Sequence, residues 1–115
     1  MKYMMLIGGE ETSYVNDSEE EREAMYRRIG AWWNEHEQAG RIVEGHELQP
    51  SSMATTVRIR RDGSTTVTDG PFIEGKEMIG GYAVLEVADL DEALALAKSW
   101  PTADSLEIRP IVERA

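Results

Sequence analysis

The segment Val67 to Gly81, VTDGPFIEGKEMIGG, gathers Asp69, Glu74, Lys76 and Glu77 with the chain's single Phe, Phe72, and four Gly. It is too broken for a helix, and its residue types suit a site. A carboxylate buried beside an apolar wall has its pKa lifted toward neutrality, where it can move a proton. Asp69 is the candidate acid or base, and Phe72 the wall that excludes water. Lys76 would present its ammonium to an anionic ligand or a developing enolate, with Glu74 or Glu77 orienting it. Each of these residues also has a simpler reading. An Asp before Gly-Pro caps a turn by accepting hydrogen bonds from backbone N–H groups two residues on. Glu74, Lys76 and Glu77 on an exposed loop would form solvated ion pairs worth less than about 1 kcal/mol. Burial separates the two readings.

Two His complete the chemical inventory. His36 stands at helical spacing below Ile29 and Trp32, the position of a hydrogen-bonded boundary residue more than of a catalyst. His46 alternates with Glu44 along a strand, a spacing that suits two ligands on one metal, but a stable site needs more than two. No metal is expected, and no cofactor motif is visible. Trp32 and Trp33 are neighbours, so only one can point fully into a helix-backed core. The other is expected at a cavity or a dimer seam, and Trp33 and His46 are candidate ligand-contacting residues.

With 115 residues, 41% hydrophobic and 30% charged, the chain builds one core and one domain, residues 1–115. Its net charge of −10 repels phosphate backbones and anionic lipid, which argues against nucleic acid and membrane surfaces as partners. There is no Cys, hence neither disulfide nor thiolate chemistry, which suits a reducing cytoplasm. The apolar run in MKYMMLIGGE is too short for a signal-peptide core or a membrane span.

Seven stretches must position these residues. In Lys2 to Ile7, Tyr3, Met5 and Ile7 alternate with Met4 and Leu6, as in a strand covered on both faces. Ser18 and Glu21 form a capping box, and Met25, Ile29, Trp32, Trp33 and His36 then follow at helical spacing up to Gly40. Arg41 to Leu48 reads as a strand with Ile42, Glu44, His46 and Leu48 on one face. TTVRIRRDGSTTVTDG reads as a hairpin turning at Asp62-Gly63. Ile79 to Val87 is a second strand apolar on both faces, expected beside the first, with Gly80 and Gly81 marking a bulge. Asp89 and Glu92 open a second helix with a stripe of Leu90, Ala93, Leu94, Ala97 and Trp100, ended by Pro101. Leu106 and Ile108 form a last strand, which Pro110 places at an edge.

The order is β-α-β, an inserted hairpin, then β-α-β, an α+β class with the ferredoxin-like pattern. Helices then cover one side of the sheet only, and a second copy is the simplest cover for the other, so a homodimer is expected.

Asp69, Gly70, Pro71, Phe72, Glu74, Lys76, Glu77, Gly80 and Gly81 resemble the signature of the DGPF branch of YCII-related proteins. The resemblance extends to MKYMMLIGG, AGRIVEGHELQP and LDEALALAKSWP, so it covers nearly the whole chain. It implies a dimeric ferredoxin-like α/β-barrel relative with a ligand cavity between helix and sheet near the DGPF loop. Relatives of this kind with a known dyad pair an Asp with a His near the start of the first helix. Here that region holds Arg27, Arg28 and Ile29, and the helix His is His36, so the dyad does not transfer, although Asp69 keeps the acidic position. The branch's genes often neighbour those for extracytoplasmic-function sigma factors. Two functions therefore compete: binding of a small organic molecule beside the loop, with proton transfer or lyase-type chemistry, and a non-catalytic module that docks a protein partner such as that sigma factor.

Overall fold

A capping box starts the longest element. Ser18 Oγ accepts from the Glu21 amide at 3.1 Å while the Glu21 carboxylate accepts from the Ser18 amide at 3.3 Å, satisfying two otherwise unpaired donors. The helix α1 runs Glu19–Gln38 and stops at Gly40, whose φ of 77° is the left-handed conformation that follows a helix end. The computed structural model describes residues 1–72 and 75–114 and holds α1 against a sheet of β1 (Lys2–Glu10), β2 (Ile42–Glu47), β5 (Glu77–Glu86) and β6 (Ser105–Pro110). Strands β3 (Thr55–Ile59) and β4 (Thr65–Asp69) form a separate hairpin, and α2 (Leu90–Lys98) links β5 to β6. Asp89 caps α2 by accepting from the Glu92 amide at 2.9 Å.

The four-stranded sheet is antiparallel in the order β2-β5-β1-β6. With the hairpin set aside as an insertion, that is the ferredoxin-like arrangement, the two most apolar strands lying at the centre as their composition requires. Pro110, which lacks a ladder donor, sits on the edge strand β6 opposite Tyr3.

Alternation sorts the sheet's side chains. Tyr3, Met5, Ala83, Leu85 and Ile42 join Trp32 of α1 and Ala93 and Leu96 of α2 in the core. Met4, Leu6 and Tyr82, half-buried, and Val84, buried, point the other way, where neither helix lies. The molecule is accordingly a slab, with principal extents of 47 × 46 × 18 Å. Two bulges tune the sheet. Gly80 is the extra residue where β5 slips between its pairings with Ile7 and Gly8, as the Gly-Gly pair predicts.

The second bulge corrects an expectation. Ile42 was expected on the face of Glu44 and His46, but the register slips between Ile42 and Glu44. Ile42 therefore turns into the core, while Glu44 and His46 face away from the helices. In α2 the buried stripe is Ala93 and Leu96, with Ala97 and Trp100 packed against it, and the expected Leu90 and Leu94 remain exposed. Trp100 lies just beyond the helix end, so the core draws on residues one position around from the expected stripe.

Candidate functional site

On α1, Trp32 is buried in the core, while Met25, Tyr26, Ile29, Gly30, Trp33 and Glu37 line the cavity beside it, so one broad face of the helix serves both. Trp32 is buried with its Nε1 donating to Ser99 Oγ at 2.8 Å and its ring edge-on to Trp100, centroids 4.9 Å apart. Trp33, half-buried, stands 6.2 Å from Trp32 and roofs a cleft of about 1090 Å³ between α1, from Met25 to Glu37, and the end of the sheet. The cleft reaches down to Trp100 and Asp104 after α2 and out to Tyr14 and Glu11 after β1.

Its polar groups are mutually arranged. Asp104 accepts from Trp100 Nε1 at 2.9 Å, Thr102 Oγ1 at 2.5 Å and Tyr14 Oη at 3.4 Å. Gly9 gives it room, since a Cβ there would stand 3.1 Å from Asp104 Oδ1. The Tyr26 hydroxyl donates to Glu47 Oε1 at 2.8 Å, and Glu11 accepts from the Ser51 amide at 3.0 Å and from its hydroxyl. Both phenols titrate above their ordinary value: Tyr14 through burial and the Asp104 charge, Tyr26 through its bond to Glu47 and burial. The described lining carries the carboxylates of Glu10, Glu11, Glu37, Glu47 and Asp104 and neither a Lys nor an Arg.

The residues expected from sequence divide between two places. Trp33 lines the cleft, and His46 borders it through β2 while its ring lies against Tyr82, centroids 6.0 Å apart. Asp69, Phe72 and Glu77 do not line it, and Lys76 sits in an adjoining shallow hollow with Glu10, Glu11 and Thr12. Asp69 ends β4 with its side chain exposed, on the hairpin face that carries Val57 and Val67. Phe72 is 67% exposed, and its carbonyl accepts from Arg58 Nη2 at 3.2 Å. Glu77 opens β5 and accepts from Ser105 Oγ at 3.2 Å. Glu74 lies outside the described residues.

The sequence reading passed over Tyr14, Tyr26, Glu47 and Asp104. One signal was present: Gly30 interrupts a helix whose spacing otherwise continues, and a Cβ there would meet nothing within 4 Å, because the cleft lies beside it.

An α+β sheet with both helices on one face, opened at one end into an aromatic cleft, defines a small ferredoxin-like domain with a built-in cavity. The chain belongs to the YCII-related domain family, whose model matches residues 1–114. It is also 35% identical over 115 residues to Uncharacterized protein R00369 of Rhizobium meliloti (strain 1021), an alignment covering 96% of this chain and 92% of that protein.

Proposed function

We propose that this chain is a homodimeric member of the DGPF branch that binds a small organic molecule in the cleft between α1 and the sheet. The cleft itself carries the reading. At about 1090 Å³, with Trp33, Trp100, Tyr14 and Tyr26 around it, it has the size and the mix of apolar walls and few polar groups that small-molecule sites share. Neither Asp69 nor Lys76 lines it, so the reading is one of binding and assigns that pair no proton-transfer step.

The dimer in this reading is supported by the other side of the sheet. Met4, Leu6 and Tyr82 form a half-buried apolar face around the buried Val84, and Val57, Val67 and Ile59 on the hairpin are 57%, 66% and 74% exposed. A second copy seated there would complete the layered architecture that a one-sided sheet lacks. Light scattering should give twice the 12.9 kDa chain mass, falling to one chain mass in Met4→Glu. Ile59→Glu, at an exposed position, should weaken the dimer with its circular dichroism intact. A wild-type chain that stays monomeric at high concentration removes the dimer.

The binding reading is tested by amide and indole N–H shifts on titration with a small-fragment set. Shifts should gather at the Trp33 and Trp100 indoles and at Gly30. Shifts confined to the hairpin and to Asp69–Phe72 would favour a protein-docking module and overturn the cleft as the binding site.

A further inference from the structure

Resting on that cleft reading, we propose that the ligand is an organic cation, a protonated amine or quaternary ammonium on an apolar or aromatic body. Three independent features of the cleft point to it.

The first is its charge balance. Among the described lining residues every ionised side chain is a carboxylate, and no ion pair of the described residues lies in the cleft. The nearest cations stand at its margins. Arg22, whose charge reaches Tyr26, donates to the Tyr14 and Val15 carbonyls at 3.4 Å each, and Lys76 lies in an adjoining hollow that shares Glu10 and Glu11 with the cleft, so Glu37, Glu47 and Asp104 are the carboxylates with no cation at ion-pair distance among the described residues. An anionic ligand would face several uncompensated carboxylates, whereas a cation supplies the missing charge where surrounding protein strengthens the attraction.

The second is the shape of the walls. Trp33 and Trp100 with Tyr14 and Tyr26 ring the space, and aromatic faces attract cations, Trp most strongly. This also separates an organic cation from a metal ion, because among the described residues no three His, Asp or Glu come together closely enough to hold one.

The third is hydrogen-bond supply. The Tyr26 donor is already directed to Glu47, and the Trp100, Thr102 and Tyr14 donors to Asp104. An ionised carboxylate offers about four acceptor positions, so Glu47, with one donor from the described residues, has acceptors to spare. Glu47 thus offers acceptors to a ligand's donors.

The test uses three probes of one shape, benzylammonium, benzyl alcohol and benzoate, titrated into the full-length protein and followed by indole N–H shifts and calorimetry. Benzylammonium should bind about tenfold or more tighter than benzyl alcohol, with benzoate weakest, and added salt should narrow the gap. Glu47→Gln should bring the two leading affinities together with the fold retained, while Glu44→Gln on the opposite sheet face leaves them apart. If Glu44→Gln loses as much as Glu47→Gln, diffuse attraction by the acidic surface explains the preference and the proposal is overturned. Benzyl alcohol or benzoate binding as tightly as the amine in the cleft overturns the cation class and keeps the cleft. Silence of the Trp33 and Trp100 indoles toward all three probes overturns both readings.

Discussion

The indole of Trp33 occupies the place that any side chain on Gly45 would fill: a Cβ built there collides with Cη2 and Cζ2 of that ring and with the Tyr82 carbonyl oxygen. Helix α1 can lay Trp33 over the sheet only because β2 offers bare backbone at this point. Gly45→Ala must displace either the ring or the strand. Overpacking of this kind costs about 1–3 kcal/mol. Urea unfolding should show that loss together with a changed native Trp emission, and an unchanged midpoint would mean that the ring yields freely.

Gly30 presents the opposite case. A Cβ there enters the open cleft without contact, and Gly in a helix interior costs about 0.5–1 kcal/mol relative to Ala. Gly30→Ala should therefore raise the unfolding free energy measured in urea by that amount while weakening any ligand seated against α1. A variant that gains stability and keeps full affinity would detach Gly30 from the site.

At the loop, the turn is held by backbone and by Thr56. The Gly70 amide donates to the Ala54 carbonyl at 2.8 Å, and Thr56 Oγ1, 8% exposed, donates to the Gly70 carbonyl at 2.6 Å. The Asp69 carboxylate accepts no hydrogen bond from a described residue. Thr56→Val should cost about 1 kcal/mol or more by orphaning that carbonyl, and Asp69→Ala should stay within about 0.5 kcal/mol of wild type. The reverse ranking in denaturant would restore Asp69 as the cap of its turn.

The Tyr26 phenol is raised by its bond to Glu47 first, then by burial and by the Glu47 charge, with Arg22 opposing. Glu47→Gln keeps an acceptor but removes the charge, so the Tyr26 pKa should fall toward the ordinary phenol value. Residue-resolved NMR titration separates it from the other three Tyr. A Tyr26 pKa indifferent to the change would show that the contact does not persist in solution.

His36 is lowered from its ordinary value of 6.5, by burial first and by the neighbouring Arg41 guanidinium, 3.1 Å from Nδ1, against the pull of Glu35. Its folded pKa lies below its unfolded one, so the unfolded chain binds the extra proton. The stability this provides is complete above about pH 6.5 and is lost as pH falls through the folded pKa. His36→Asn should flatten that part of the urea midpoint against pH profile. The losses from Glu11 and Asp62, also lowered but as carboxylates, come at more acid pH and should remain.

Local chemistry made the elements legible. The Ser18–Glu21 and Asp89–Glu92 caps, the Gly80 bulge, Pro110 on the edge and the doubly apolar β1 and β5 follow from capping, backbone freedom and alternation, all of which act within a few residues. That Trp32 would be core and Trp33 something else followed from their adjacency on one helix. What sequence could not supply was distance across the fold. The Val43 bulge reverses the face of Ile42, and no local pattern marks it, because Val fits a bulge as readily as a ladder. Glu47 meets Tyr26 across 21 positions and Asp104 meets Tyr14 across 90, through a gap between layers that exists only once α1 has docked. The loop drew attention because its chemistry is contiguous in the chain. The cleft gathers its aromatic rings and carboxylates from four separate segments, so only the packed structure brings them together.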